Sequence, residues 1–301
     1  MEWITRPQQM GYGACRGLIY ALRGRYRFLR RCPVGHSEAG RAIEALQLGQ
    51  EGPPVLLAAA IHGEERLTAL FLLRLCEELC CGLDRGGRVA DLELRRAFAG
   101  RQLWMIPLCN PDGAEIALHG AEAAGPYAPL VRRIAGEHPS FWQANARGVD
   151  LNHNFDAGWQ QLHQMERQAG IDGPAPRQWG GPAPESESET RALTRLCRET
   201  PFRYLVTLHT QGEEIYWEYG ERTPPAAAVM AEIAATVSGY RAAAPEGLAS
   251  HGGYKDWFIR ETGRPGFTVE LGKGKNPLPV SCFEEAYEKA REMLLLFAAA
   301  M

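Results

Sequence analysis

The chain has 301 residues, of which 45% are hydrophobic and 23% are charged. This composition is typical of a globular protein with a sizeable core, and it excludes a disordered or fibrous chain. The 33 Lys and Arg residues nearly balance the 36 Asp and Glu residues. Because so small a net charge creates no strong field toward nucleic acid or an anionic membrane, we expect neither as a partner.

No segment is typical of membrane insertion or export. The longest apolar run, Met293–Met301, is about half of the roughly 20 residues that a bilayer requires. The first residues contain arginines and no continuous apolar core, which is unlike a signal peptide. The eight cysteines form no C-x-x-C pair. We therefore expect buried, reduced thiols in a cytoplasmic protein.

The N-terminal segment 1–33 is rich in arginine. A solvated helix face and an attraction for anionic ligands both remain open as explanations. We expect this segment to pack on a single larger domain that covers 34–301. No linker or shift in composition divides that part of the chain, although length alone would also allow two smaller domains.

Short, nearly continuous apolar runs predict strands that are buried on both faces. These runs are Val55–Ala60, Gln102–Leu108, Tyr204–Leu208 and Phe267–Leu271. Between them, apolar residues repeat at helical spacing, most clearly over 67–79 and 226–237. The alternation of strands and helices favours an α/β fold in which helices pack against a sheet.

Two local patterns lie between the second and third predicted strands. The Gly- and Pro-rich stretch 170–184 predicts a long loop, and we expect it near a binding cleft because such loops often carry function. Ser186 and Glu189 then have the spacing of a capping box, which predicts the start of a helix.

Three polar side chains at predicted strand ends could bind a metal ion. His62 follows the first strand and Glu65 comes three residues later, a spacing with which one short turn can direct both side chains to one point. His209 ends another strand, and ligands gather at the carboxyl ends of strands in open α/β sheets. The three would form the His₂Glu set of a catalytic zinc site. A purely structural role for His62 is the alternative, because this spacing also occurs by chance.

Four other histidines are less suitable as metal ligands. They lie in helical or loop contexts, and we expect them at the surface; these are His36, His119, His138 and His163.

Glu270 is a charged residue at the end of the last apolar strand. A carboxylate in such a place is costly unless it is paired or has a function. A zinc hydrolase needs a base that takes a proton from water, and Glu270 is the candidate. The alternative is an edge residue in a surface salt bridge.

The stretch 145–155 contains amides, a glycine and an aspartate within a few residues. This composition predicts a rigid loop that makes hydrogen bonds with itself. The loop could present Asn152 and His153 to a substrate carboxylate or carbonyl, or it could be only a structural turn.

Seven short motifs occur in the order found in zinc carboxypeptidases. They are H-G-E-E at 62–65, N-P-D-G at 110–113, G-V-D-L-N-H-N-F at 148–155, S-E-S-E-T at 186–190, L-H-T-Q-G at 208–212, G-G-Y-K-D-W at 252–257 and T-V-E-L-G at 268–272. Each motif alone is weak evidence. The ordered set covers most of the chain from about Val34 onward, and on this basis the sequence resembles that family.

The resemblance implies that 34–301 form a single zinc peptidase domain, an α/β/α domain with a mixed sheet of about eight strands. It also implies one zinc ion held by His62, Glu65 and His209, with Glu270 as the base that activates water. Asn152 is implied to bind substrate.

Some residues depart from the family pattern. Zinc carboxypeptidases usually have Asn-Arg where this chain has Asn152-His153, and a histidine lacks the permanent charge and bidentate geometry of arginine. Leu248 stands where digestive members have tyrosine. The family arginine that polarises the scissile carbonyl falls near Gln143 or Arg147 by spacing, and Arg147 is our candidate.

These departures resemble the bacterial branch that cleaves γ-D-glutamyl–diaminopimelate amides of peptidoglycan peptides. We therefore expect a zinc metallopeptidase that acts on a short peptide of muropeptide type. A carboxypeptidase that removes C-terminal residues, a related N-acyl amino-acid deacylase and a peptide-binding module without chemistry are the alternatives. Because no export signal is visible, peptide recycling inside the cell is favoured over attack on the intact wall, and the sequence does not indicate an oligomeric state.

Overall fold

The computed structural model describes residues 3–299. Met1 and Glu2 of the N-terminal segment, and residues 300–301 of the C-terminal apolar run, lie outside the described residues. Within that range, eight strands form the main sheet and two more form a small hairpin. The strands are β1 (Arg30–His36), β2 (Ala42–Leu48), β3 (Pro54–Ala59), β4 (Arg88–Val89), β5 (Leu92–Glu93), β6 (Gln102–Ile106), β7 (Leu205–His209), β8 (Glu214–Tyr216), β9 (Arg241–Ala243) and β10 (Gly266–Glu270).

The main sheet is mixed and has the order β1-β2-β6-β3-β7-β10-β8-β9. Its four central strands β6, β3, β7 and β10 run parallel to one another. On the two sides, β2 joins β6 and β8 joins β10 in the antiparallel sense. The four central strands are those that the sequence predicts, with ends that differ by one or two residues. The expected mixed, eight-stranded sheet is confirmed.

Helices cover both faces of this sheet. They are α1 (Tyr12–Arg25), α2 (Leu67–Arg85), α3 (Leu94–Phe98), α4 (Pro111–His119), α5 (Ala128–Ala135), α6 (Trp159–Gln168), α7 (Ser188–Glu199), α8 (Pro225–Ser238), α9 (Tyr254–Thr262) and α10 (Phe283–Ala299). None of the helices in residues 3–299 combines the length and the apolar character that spanning a bilayer requires.

Two large apolar clusters lie on opposite faces of the sheet. Along β3, Val55 and Leu57 belong to the cluster that contains buried side chains of α1, α2, α8 and α10. The alternate residues Leu56 and Ala58 belong to the cluster that contains buried side chains of α7 and α9. This alternation is that of a strand whose two faces are both covered. The α/β/α arrangement expected from the sequence is thereby confirmed.

Buried polar contacts join the N-terminal segment to α2. The carboxylate of Glu77, which is fully buried, accepts hydrogen bonds from the backbone N–H groups of Ile4 and Thr5, both at 2.9 Å. Arg74 donates to the backbone carbonyl of Thr5. The segment also contributes α1 and the first residues of β1, which pairs with β2.

The predicted capping box at Ser186 is wrong. Helix α7 begins at Ser188, with Glu187 at its N-cap and no side-chain cap. The hydroxyl of Ser186 instead donates to Glu187 at 2.7 Å and accepts from the Asn154 amide at 2.9 Å. Glu189 turns inward and is fully buried. The hydrogen bonds to the neighbouring loop outweigh the local signal, as tertiary contacts often do.

Stability should fall as pH rises because of Glu189. Burial, together with the nearby carboxylate of Asp112, raises the pKa of Glu189 to about 8. Below about pH 4.5 the group is neutral in both states. Between about pH 4.5 and pH 8, Glu189 is ionised in the unfolded chain but still neutral in the folded protein. The free energy of unfolding therefore falls as the pH rises through this range. At about pH 8 the free energy of unfolding of Glu189→Gln should therefore exceed that of the wild type by a few kcal/mol. At about pH 5 the difference should be much smaller. Urea unfolding at both pH values measures this, and an equal difference at both would contradict it.

Candidate metal centre and active site

The strand-end side chains of the sequence prediction meet at one edge of the sheet. His209 is the last residue of β7 and lies in register with Glu270, the last residue of the parallel strand β10. His62 follows the end of β3. A single 3₁₀ turn, Gly63–Glu65, then brings Glu65 back toward His62. Parallel strands that end together explain why residues so far apart in sequence converge.

Glu65 lies between two imidazoles. Its Oε1 is 2.9 Å from Nδ1 of His62, and its Oε2 is 3.0 Å from Nδ1 of His209. One ligand atom from each of the three residues lies within 4.8 Å of the others. The three side chains therefore converge on one small volume, as a bound ion requires.

The carboxylate of Glu65 is suited to a divalent cation. Its Oε2 is buried and has no hydrogen-bond partner besides the 3.0 Å approach of His209 Nδ1, which is costly for a polar atom. Burial opposes ionisation of Glu65, but the two imidazoles outweigh it and lower the pKa of Glu65 to about 2. An ionised carboxylate beside two imidazole nitrogens is a donor set that Zn²⁺ prefers.

Asp150 supports the first histidine from outside the group. Its Oδ1 lies 3.3 Å from Nε2 of His62, and its Oδ2 accepts the backbone N–H of Gln178 at 2.8 Å. Burial acts against ionisation of Asp150, but the charges of His62 and His153 outweigh it and lower the pKa of Asp150. A carboxylate on the outer nitrogen fixes the tautomer and orientation of a metal-binding histidine. The sequence prediction did not assign this role to Asp150, although it lies in the quoted 148–155 motif.

Asp150→Asn should weaken zinc binding about 10–100-fold, the usual effect of losing such an outer carboxylate. The substitution removes the negative charge beside Nε2 of His62 while keeping the size of the side chain. Competition with a chromophoric chelator measures the affinity. Asp156→Asn is a matched control, because Asp156 is exposed and pairs with Arg260 at 2.9 Å. Equal zinc affinity of the two variants would contradict the role of Asp150.

Glu270 lies beside the three grouped residues. Burial, reinforced by the charges of Glu65 and Glu214, raises its pKa well above the usual range, with His62 acting in the opposite direction. A carboxylate that holds a proton readily is suited to proton transfer.

A cavity opens over this edge of the sheet. It is lined by His62, Gln143, Asp150, Asn152, His153, Gln178, His209, Tyr216, Pro245, Ala249, Gly253, Lys255, Asp256, Thr268 and Glu270. The predicted base and both predicted substrate-binding residues of the 148–155 motif are in this set, and Glu65 is buried next to it. Gln178 comes from the loop 170–184, so the loop does border the cleft as expected.

A family model described as zinc carboxypeptidase matches residues 17–293. The chain belongs to the zinc carboxypeptidase family. Gamma-D-glutamyl-L-diamino acid endopeptidase 1 of Lysinibacillus sphaericus is 33% identical over 97% of this chain and 73% of that protein. The protein YqgT of Bacillus subtilis strain 168 is also 33% identical, over 97% of this chain and 78% of its own length.

The same fold occurs in a solved structure. This zinc carboxypeptidase aligns with a chain of bovine thrombin-activatable fibrinolysis inhibitor in complex with tick carboxypeptidase inhibitor, with a TM-score of 0.75. The alignment covers 97% of each chain at 18% identity. Members of this family use one zinc ion, and the donor set around Glu65 is suited to it.

The structure does not bring Arg147 into the cavity. Its guanidinium lies 3.6 Å from Glu187 and 3.9 Å from Glu38, two carboxylates outside the lining. Gln143, the other position that spacing suggests for the arginine of zinc carboxypeptidases, does line the cavity and donates to Glu64 at 2.8 Å. Gly148, the residue that follows Arg147, has a positive φ of 71°.

The 145–155 loop makes hydrogen bonds with itself, as expected. Asn145 Oδ1 accepts the backbone N–H groups of Arg147 and Val149 at 2.9 and 3.1 Å. Asn152 Oδ1 accepts the backbone N–H of Tyr254 at 3.0 Å. This bond leaves the Nδ2 donors of Asn152 for a ligand in the cavity.

Two cavity residues of note were missed by the sequence prediction. Lys255 is buried yet lines the cavity, and its only sequence signal is its place in the 252–257 motif. Tyr216 comes from the short strand β8 and donates its hydroxyl proton to Glu214 at 2.5 Å. Of the competing histidines, His36, His119 and His138 are exposed as expected, whereas His163 is half-buried.

Proposed function

We propose that this zinc carboxypeptidase hydrolyses the amide between γ-D-glutamate and diaminopimelate in peptidoglycan-derived peptides. The main support is the convergence of the His62–Glu65–His209 group with Glu270 on one cavity. The endopeptidase of Lysinibacillus sphaericus, whose name gives this bond type, is similar over nearly the whole chain.

In this proposal His62, Glu65 and His209 hold the zinc ion, and Asp150 orients His62. When bound, zinc supplies a Lewis acid that polarises an amide carbonyl and makes water a stronger acid. The three residues fix the ion at the carboxyl ends of β3 and β7, next to Glu270.

Glu270 carries the proton in both halves of the reaction. It takes a proton from the water whose oxygen bonds to the amide carbon. As the C–N bond breaks, it gives this proton to the nitrogen of diaminopimelate, which leaves as an amine. The enclosed position that raises its pKa also favours the protonated form that the second step uses.

Lys255 supports an acidic substrate. It is the only lysine or arginine among the described residues that line the cavity. Its Nζ donates to the backbone carbonyl of Glu218 at 2.8 Å and pairs with Asp256. An ammonium group has three donors, so one remains for a ligand. A peptide with several carboxylates matches this cation better than an apolar peptide does.

Lys255→Met should lower kcat/KM for an acidic peptide by about 10-fold or more, because a charge-assisted hydrogen bond is lost. Kinetics with the peptide and with its carboxamide forms measure the effect, and the melting temperature is recorded because Asp256 loses its partner. Lys273→Met is the control, since Lys273 is exposed and contacts Glu213 at 2.9 Å. An equal loss with acid and amide substrates would contradict recognition of a carboxylate.

The proposed function is tested with the tetrapeptide L-Ala-γ-D-Glu-diaminopimelate-D-Ala and the zinc-loaded protein. Mass spectrometry should detect L-Ala-D-Glu together with diaminopimelate-D-Ala. Release of D-Ala alone would support the carboxypeptidase alternative instead. No cleavage of this peptide, with cleavage of N-acyl amino acids, would support the deacylase.

We also propose that the reaction takes place in the cytoplasm, on peptides that have returned from the wall. All eight cysteines are free thiols, which supports a reducing compartment. Cell fractionation with an antibody against the chain tests this, and recovery outside the cytoplasm would refute it.

A further inference from the structure

We propose that Glu166 is a positioning residue that holds His153 so that its Nε2 edge binds a substrate carboxylate. This inference rests on the proposed function and extends it to how the cavity recognises an acidic peptide. The mechanism above gives Glu166 no role, and the sequence prediction did not name it.

Glu166 is a fully buried carboxylate on α6. Its Oε1 is 2.9 Å from Nδ1 of His153 and accepts the backbone N–H of Gly180 at 3.1 Å. Its Oε2 is 3.1 Å from Nδ1 of His163. Burial of a carboxylate is costly unless it is paired. Within residues 3–299 the two imidazoles and the amide provide the contacts that stabilise Glu166.

The contact fixes the role of each ring nitrogen in His153. An ionised carboxylate only accepts hydrogen bonds, so Nδ1 of His153 must carry the proton that faces Glu166. His153 also lines the cavity. Nε2 is then the one polar atom of the ring that remains for a ligand there.

His153 lies close to the metal centre. Its backbone N–H donates to the carbonyl of Asp150 at 3.0 Å, and the carboxylate of Asp150 contacts His62. In the imidazolium form both ring nitrogens donate. Glu166, His153 and a substrate carboxylate would then form a chain of two charge-assisted hydrogen bonds beside the scissile amide.

The second histidine holds Glu166 rather than the substrate. His163 stacks on Trp159, with ring centroids 4.6 Å apart and planes at 13°. Trp159 in turn donates to the carbonyl of Gly180 at 2.9 Å, the residue whose N–H reaches Glu166. These contacts fix the side chain of Glu166 from the side away from His153.

The contacts of Glu166 resemble those of Glu65 at the metal centre in one respect. Glu65 and Glu166 each contact two imidazoles through Nδ1. Within residues 3–299, however, the groups whose ligand atoms all lie within 4.8 Å of one another are His62–Glu65–His209 and a carboxylate cluster at Glu38, Glu187 and Glu189. Glu166 therefore bridges two separated rings, which suits positioning and not chelation.

The test combines substitutions with carboxamide substrates. Glu166→Gln keeps the shape but lacks the charge, and Gln164→Ala removes an exposed side chain of the same helix. The substrates are the tetrapeptide of the preceding section and three versions in which one carboxylate each, of D-Glu, diaminopimelate or D-Ala, is a carboxamide. Binding is measured by calorimetry in a Glu270→Gln background, and kcat and KM are measured in the parent background. Zinc content and melting temperature are recorded for each variant.

We expect Glu166→Gln to weaken binding of the acid peptide by about 10-fold or more and to raise KM more than it lowers kcat. One of the carboxamides should bind the parent and Glu166→Gln within about threefold of each other, which identifies the carboxylate that His153 recognises. Gln164→Ala should change binding of the acid peptide by less than about threefold.

Equal weakening for all four peptides, or an equal effect of Gln164→Ala, would overturn the inference in favour of a structural role for α6. Unchanged binding in Glu166→Gln would overturn it as well. If the parent neither binds nor cleaves the tetrapeptide, the proposed function fails and this inference fails with it. That outcome is distinct, because it appears before any change at Glu166.

Discussion

Glu270→Gln should lower kcat by about 10²–10⁴-fold, the usual contribution of a positioned general base. Glutamine has nearly the same shape but cannot take a proton from water or return one to the leaving amine. Zinc should remain bound, because Glu270 is not one of the three residues whose ligand atoms converge. Steady-state kinetics on the tetrapeptide and metal analysis of the purified variant measure the two quantities together.

Glu292→Gln is the matched control for this substitution. Glu292 is exposed on α10 and is not among the residues that line the cavity, so activity should stay within about threefold of the parent. Near-normal activity of Glu270→Gln would remove Glu270 from the mechanism, whatever the control does.

His209→Ala should abolish stoichiometric zinc binding and, with it, activity. The substitution removes one of three protein ligands and leaves the buried Glu65 with a single imidazole, too few donors for a catalytic zinc site. Metal content after dialysis against a weak chelator measures the loss. Circular dichroism is recorded as well, because His209 is buried at the end of β7. It distinguishes loss of the zinc ligand from loss of the fold.

His119→Ala is the control for the histidine series, since His119 is exposed at the end of α4. It should keep zinc and full activity. His62→Ala should behave like His209→Ala. Unchanged, stoichiometric zinc in both ligand variants would refute the assignment of the metal centre.

The centre of the sheet could be predicted from sequence because its strands are buried on both faces. Strands such as β3 therefore appear as continuous apolar runs. The outer strands lack that signal. Strands β8 and β9 have three residues each. Strand β2 contains Glu44, a buried carboxylate that pairs with Arg16 and Arg31.

The metal centre could be predicted because its geometry follows from where strands end. His209 and Glu270 end parallel neighbours in register, and the turn after β3 brings Glu65 to His62. Apolar strands that end in a polar side chain carry this information locally. The resemblance of the motifs to a family then favoured zinc hydrolysis over a structural role.

Residues that act through long-range contacts could not be predicted in the same way. Glu166 reaches His153 only because α6 packs beside the 145–155 loop, and its sequence surroundings are those of a polar surface helix. Lys255 has an equally ordinary helical context until α9 places it against the cavity. For Arg147, spacing suggested a role in the site, but side-chain direction in a loop depends on φ and ψ values that spacing does not contain.

The most direct test of the account is anomalous diffraction at the zinc absorption edge from crystals of the zinc-loaded protein. The account predicts one strong peak next to Nδ1 of His62, Nδ1 of His209 and the carboxylate of Glu65. A peak at the carboxylate cluster of Glu38, Glu187 and Glu189, with none at the histidines, would contradict it.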